Sequence, residues 1–256
     1  MSEAIAFRTQ GSEGRHCLLL HGFGSDRLSW LGTTPFLPKP LVIHTLDLPG
    51  HGESGTDVGN GSPQELAGRL AVVLDQRGLS GLHVIGHSLG GGLAMMLAAD
   101  RPDLVSGLCL IAPAGLGEGV DTAFLAAFPE ARDAETVTRL LQQLVVRPQL
   151  MGRQIADRVL QQLDRAGARA ALARIADGIA TQEEQMRRAA VRVAASGLPR
   201  SIMWGAKDRI NPPDMARLAD FGGDLHMIAD AGHLPHIEAA RQANALLADM
   251  LGTAGA

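Results

Sequence analysis

Seven short apolar runs punctuate the chain: Ile5–Arg8, Cys17–Leu20, Leu41–Leu46, Leu82–Ile85, Leu108–Ile111, Ser201–Trp204 and Leu225–Ile228. Each is too short for a buried helix, and apolar residues dominate each one rather than falling only at alternate positions, the pattern of strands covered on both faces. Between them lie stretches with a period near 3.6. Leu66, Leu70, Val73 and Leu74 share one helical face. This helix starts at Ser62-Pro63-Gln64-Glu65, which predicts a Ser62 N-cap, Pro63 in the first turn and Glu65 closing a capping box, and it stops at Gly78. Further helices are predicted over Leu93–Ala99, from Pro212, and over Ile237–Leu251, with a short one beginning at Trp30 and Leu31. Strands alternating with helices predict an α/β fold, a mostly parallel sheet with helices on both faces.

The alternation breaks off at about Leu116. From 116 to 195 no strand pattern occurs, and Thr136–Val146 and Gln149–Leu163 read as amphipathic helices. The expected organisation is a core of residues 1–115 and 196–256 with a helical cap inserted over 116–195. Because the insertion leaves after one strand and returns before the next, it is expected over the carboxyl edge of the sheet.

Composition narrows the function classes. A chain of 256 residues that is 46% hydrophobic can bury a large core. A net charge of −4 gives no basic face for nucleic acid. No stretch of about 20 apolar residues predicts a membrane span, and Met1-Ser2-Glu3-Ala4 shows no basic leader, so a cytoplasmic location is expected. Cys17 and Cys109 sit inside apolar runs and read as buried thiols. No His/Cys/Asp/Glu spacing suggests a metal and no phosphate-binding glycine loop is present, so no cofactor is expected.

The candidate chemistry lies at the ends of the predicted strands. Gly86-His87-Ser88-Leu89-Gly90-Gly91 joins the Leu82–Ile85 run to the next helix. Gly-x-Ser-x-Gly between a strand and a helix is the nucleophile elbow, a turn that lifts the serine hydroxyl above the sheet and sets the next backbone N–H at a helix N-terminus. Ser88 is therefore the candidate nucleophile, and Leu89 N–H a candidate oxyanion donor. Its partner is expected to be Phe23 N–H, in the loop His21-Gly22-Phe23-Gly24 after the Cys17 run. Asp208 follows the sixth run and His233 the last, so a parallel sheet brings both to the edge that carries Ser88. The order Ser88, Asp208, His233 is that of an elbow-type triad.

Other polar residues have plainer readings. His87 adjoins the serine and reads as packing or support behind it. His236 is either a substrate contact or a polar residue opening the last helix. Asp230 reads as a turn residue, and His44 and His83 as structural histidines within strands. Trp30, Phe124 and Phe128 are candidate substrate-binding residues beside His236, because they are large apolar groups near the expected pocket.

Taken together, the chain resembles the α/β-hydrolase superfamily in His21-Gly22-Phe23-Gly24, Asp47-Leu48-Pro49-Gly50-His51-Gly52-Glu53-Ser54, Gly86–Gly91, Trp204–Asp208 and Ala231-Gly232-His233. More narrowly, Leu110–Gly117 and the Arg/Gln/Leu-rich insertion resemble the catalytic domain of acetoin dehydrogenase acyltransferase components. That resemblance implies acyl transfer to a lipoyl group. No lipoyl domain precedes the first strands here, and neither Lys39 nor Lys207 has a lipoyl-type setting, so transfer to an arm on the same chain is not expected. The leading expectation is a serine esterase or thioesterase acting on a small-molecule acyl substrate. Acyl transfer in trans, C–C bond hydrolysis with the same triad, and a binding protein on a hydrolase scaffold are the competing readings.

Overall fold

The computed structural model describes residues 5–253. The seven apolar runs form one sheet of strands β1 (Phe7–Gln10), β2 (Arg15–Leu20), β3 (Leu41–Leu46), β4 (Leu82–His87), β5 (Val105–Ile111), β6 (Arg200–Gly205) and β7 (Asp224–Ile228). Their spatial order is β1-β3-β2-β4-β5-β6-β7, and every pairing is parallel except β1 with β3. β4, which leads to Ser88, is central and buried along its whole length. The edge strand β1 starts two residues later than its apolar run, because its register is set by pairing Phe7 with Leu46.

Helix α1 (Pro63–Gln76) begins as its sequence predicts, with Ser62 Oγ accepting from Glu65 N at 3.1 Å. The other half of the capping box does not form. Ser62 N donates to Asn60 Oδ1 instead, and the Glu65 carboxylate pairs with Arg69 one turn on. At the far end Gly78 takes φ +64°, and the amides of Gly78 and Leu79 return to Asp75 and Leu74 as in a Schellman motif. Helix α2 (Leu89–Asp100) is buried nearly all round.

The insertion contains α3 (Thr122–Ala127), α4 (Ala134–Gln143), α5 (Arg153–Leu163) and the 28-residue α6 (Ala168–Ala195). α4 ends before the predicted Val146, and α5 starts four residues after the predicted Gln149, with a 3-10 turn at Pro148–Leu150 between them. α6 is broken at Gln182, whose φ/ψ of −130°/20° is not helical. Ile175 and Ile179 lie before that break, and Met186, Ala189, Ala190 and Val193 after it are buried with the sheet-side helices. The last part of the predicted cap thus packs as core, mainly on α2.

Three other expectations are corrected. The turn around Trp30 is a 3-10 helix over Arg27–Gly32 that starts earlier, where Asp26 Oδ1 accepts from Leu28 N at 2.8 Å. α7 (Met215–Phe221) is capped by Asp214 rather than opened by Pro212. Pro212 and Pro213 are occupied in holding the start of the insertion, through Glu118 N to Pro212 O and a bridge from Pro213 to Gly117. The closing helix is two pieces, α8 (Pro235–Glu238) and α9 (Ala240–Thr253), separated at the non-helical Ala239. Among the described residues no helix is long and apolar enough to cross a membrane.

Candidate active site

The turn between β4 and α2 is tight enough that a Cβ at Gly86 would lie 2.6 Å from the Gly90 carbonyl oxygen, so only glycine fits. Ser88 sits at φ 51°, ψ −117°, a conformation that costs a non-glycine residue about 1–3 kcal/mol. The turn is held by Ser88 N to Ile111 O at 2.9 Å and by Gly92 N and Ala114 N, both to Ser88 O at 3.0 Å.

Parallel strands deliver the partners to the same edge. His233 Nε2 lies 2.9 Å from Ser88 Oγ, and His233 Nδ1 lies 2.8 Å from Asp208 Oδ2. Since a carboxylate accepts, Nδ1 carries the imidazole proton, and Nε2 is left to accept from the serine hydroxyl. All three residues are buried. The aspartate is fully engaged. Oδ1 accepts from the amides of Ile210 and Asn211, each at 2.9 Å, and Oδ2 also accepts from Trp204 Nε1 at 3.1 Å. These bonds fix the carboxylate before the histidine meets it. A serine, a neutral imidazole and an oriented carboxylate in this sequence can move a proton off the hydroxyl as it attacks an electrophilic carbon.

Phe23 and Leu89 flank the serine. Leu89 is the first residue of α2, so its N–H lies outside the helical ladder. The Phe23 loop comes close because Gly22 has no side chain. A Cβ there would lie 2.7 Å from His87 Nδ1 and 3.1 Å from Ser88 Cβ. The loop is anchored by His21, whose Nδ1 donates to Gly22 O and whose Nε2 accepts from Leu48 N. Burial pushes the His21 imidazole down to about 4, so it is neutral at neutral pH.

In front of Ser88 and His233 opens a cavity of about 520 Å³. Phe23, Leu89, Phe124, Phe128 and His236 all line it. Trp30 does not, which corrects its reading as a substrate contact. Its side chain, 1% exposed, faces the sheet and packs with Leu19, Leu37 and Ile85, because the 3-10 turn directs it inward. The Trp30 ring lies 5.2 Å from that of His236, which in turn lies 4.8 Å from His87. His236 thus stands between Trp30 and the cavity. Burial drives the His236 imidazole down to about 3 and that of His87 well below its ordinary value.

Two residues support the His233 loop: His87, read from the sequence as packing or support behind the serine, and Glu238, which the sequence does not single out. His87 Nε2 bonds to the carbonyl of His233 at 2.9 Å, which fixes its own proton on Nε2 and braces the His233 backbone. Glu238, only 5% exposed, accepts from Gly232 N with one oxygen and from Val146 N and Arg147 N, at 2.8 and 3.2 Å, with the other. His233 N donates to Leu144 O at 2.8 Å. The His233 loop is therefore joined to the segment following α4. A glutamate within a short apolar-flanked helix was the only available signal for Glu238. Elsewhere, Asp230 pairs with Lys207 at the surface, His44 bonds Thr9 and His16, and His83 bonds Ser106. Among the described residues no group of three or more His, Cys, Asp or Glu is placed to hold a metal ion.

The mostly parallel sheet with its covering helices matches the fold that the comparisons find. The sequence profile of the Alpha/beta hydrolase family matches residues 17–246, and the chain belongs to that family of enzymes. More particularly, it is similar to the dihydrolipoyllysine-residue acetyltransferase component of the acetoin cleaving system of Cupriavidus necator, at 32% identity over 248 residues covering 97% of this chain and 66% of that protein. Its likeness to the component of the same name in Pseudomonas putida is 34% over 238 residues, covering 93% of this chain and 64% of that one. The chain thus spans just under two thirds of the length of these relatives. Among solved structures, a meta-cleavage product hydrolase from Pseudomonas fluorescens IP01 shares the fold with a TM-score of 0.86 at 20% identity, covering 99% of this chain and 96% of that one.

Proposed function

We propose that the protein is a serine hydrolase that cleaves an ester or thioester through an acyl-Ser88 intermediate. The observation that carries this reading is the unbroken line from Ser88 Oγ through His233 to Asp208, buried at the wall of an apolar cavity. Ser88 Oγ attacks the carbonyl carbon as its proton passes to His233 Nε2. Asp208 holds the imidazole in the accepting tautomer and stabilises its charge. The N–H groups of Phe23 and Leu89 receive the oxyanion. Collapse expels the alcohol or thiol, which takes the proton from His233, and water attacks the acyl-serine by the same route in reverse. The test is a fluorophosphonate probe followed by peptide mass spectrometry. The expected adduct is on the peptide containing Ser88, and an adduct elsewhere with Ser88 unmodified overturns the assignment.

A second reading, acyl transfer in trans to a thiol, is favoured by the names of the two acetoin-system relatives. It uses the same acyl-enzyme and differs only in what intercepts it. Product analysis with and without dihydrolipoamide separates the two: free acid in both arms supports hydrolysis, and acyl-dihydrolipoamide as the main product supports transfer.

A further inference from the structure

The cavity before Ser88 is far larger than a two-carbon acyl group requires. An apolar cavity of roughly 150 Å³ accommodates benzene, with six heavy atoms. On that scale the 520 Å³ present here holds on the order of twenty. An acetyl group would leave most of the wall without contact, and wall atoms facing a void forfeit their dispersion attraction.

The wall is mostly apolar. Val120, Phe124 and Leu125 at the start of the insertion, Leu141 of α4, Ile179 of α6 and Ile210 after β6 all line it. The 3-10 turn and α5 add Leu28, Ile155 and Val159 beside the polar Ser29, Gln154 and Gln162. At the rim two large apolar residues that line the cavity also meet solvent, Ile155 at 42% and Ile237 at 36% exposure. Charge on the lining is self-compensated, because Arg158 Nη2 lies 2.5 Å from Asp26 Oδ2. The neighbouring imidazoles of His87 and His236 are held neutral by burial. Among the described residues that line the cavity no unpaired cation is left to receive a carboxylate on the acyl chain.

We infer, building on the acyl-Ser88 reading, that the acyl group is an uncharged apolar chain of medium length, roughly eight to twelve carbons, lying against Val120, Phe124, Leu125 and Ile179. Acetyl esters and acyl groups ending in a carboxylate are poor substrates.

The experiment is a series of p-nitrophenyl esters, acetate, butyrate, octanoate and decanoate, beside the half-ester of octanedioic acid. A methylene moved from water into the cavity gains about 0.8 kcal/mol, close to fourfold. The expected kcat/KM therefore rises along the series, with octanoate above acetate by at least about a hundredfold and the carboxylate-ended ester at least about tenfold below octanoate. Val120→Trp, which fills the cavity from a half-buried position in its wall, is expected to lower the octanoate-to-acetate ratio about tenfold or more. Ile155→Ser, at the exposed rim and without consequence for the core, is expected to lower it about threefold. A flat series, a maximum at acetate, or a ratio untouched by both variants overturns the inference. Turnover that is fastest on acetate refutes the chain-length assignment and leaves Ser88 as nucleophile. Absence of turnover on every ester also refutes it, and fluorophosphonate labelling of Ser88 then decides whether the nucleophile assignment survives.

Discussion

The sheet-bearing part of the chain and the helical insertion do different work by different physical means. Ser88, Asp208 and His233 all stand on loops at the carboxyl ends of parallel strands, and each is fixed by several buried hydrogen bonds. The insertion contributes walls. α4 and α5 pack chiefly on one another, and their polar ties to the rest run through a rim contact, in which Arg158 and Gln162 meet Asp26, and through the buried joint at Glu238. Directional bonds specify atom positions to fractions of an ångström, as proton transfer needs. Non-directional apolar contact specifies a volume, as selection among the proposed acyl groups needs. The contrast explains how walls can be rebuilt without disturbing the chemistry, and it fails where the two parts are welded at the His233 loop.

The strongest way to break this contrast is Ser88→Ala. It removes the attacking atom and little else, so kcat is expected to fall by about four to six orders of magnitude with the thermal midpoint nearly unchanged, measured by ester turnover and melting. A loss below about a hundredfold would move the chemistry away from the elbow. Asp208→Asn tests whether position and chemistry separate in the core. An amide must present its NH₂ either to the Ile210 and Asn211 amides or to Trp204 Nε1 and His233 Nδ1, so a donor faces donors in both orientations. Rate is expected to fall by about 10²–10⁴, with stability lower by roughly 1–3 kcal/mol in urea titrations. An unchanged urea midpoint would show that the carboxylate serves the histidine alone.

Acid sharpens the contrast, because all nine histidines lie outside residues 116–195. Burial pushes His21 down to about 4 and both His51 and His236 down to about 3. In the unfolded chain each takes a proton below about pH 6.5. Between pH 6.5 and 4 the unfolded chain therefore binds more protons, and stability falls as pH falls. At pH 5.5 each contributes about 1.4 kcal/mol of loss, about 4 kcal/mol for the three. Urea midpoints that do not move between pH 7 and 5.5 would contradict this assignment. Two of the joints of the insertion are then ranked against each other. Glu238→Ala strands the amides of Gly232, Val146 and Arg147, with an expected loss of about 2–4 kcal/mol and a lower kcat through displacement of His233. Arg158→Gln breaks a pair whose arginine is half-exposed, and about 0–1 kcal/mol is expected with at most a few-fold change in KM. Equal effects of these two changes would erase the distinction between weld and rim.

Much of this was legible from residue order. The β3 run Leu41–Leu46 matches its strand end to end, because a strand buried on both faces reads as a nearly continuous apolar run, interrupted here only by His44 and Thr45. Ser88, Asp208 and His233 could be chosen because each closes an apolar run, and a parallel sheet gathers such ends on one edge. What failed depended on distant partners. The predicted capping box was half lost when Arg69 drew Glu65 away. Trp30 was assigned to the pocket because its size is visible in the sequence while its direction is not.

By itself, then, the sequence determined the order of strands and helices, the tight turn that lifts Ser88 and the identity of its two partners, since these follow from local pattern and from the topology of a parallel sheet. Only the tertiary structure decided that Glu238 and His87 brace the His233 loop, that Trp30 stands behind His236, that α6 breaks at Gln182 and packs into the core on both sides of the break, and how large the cavity is. Those outcomes depend on atoms far apart in the chain meeting at hydrogen-bond and van der Waals distance, and no spacing of residues along one segment encodes which distant group will be there to meet them.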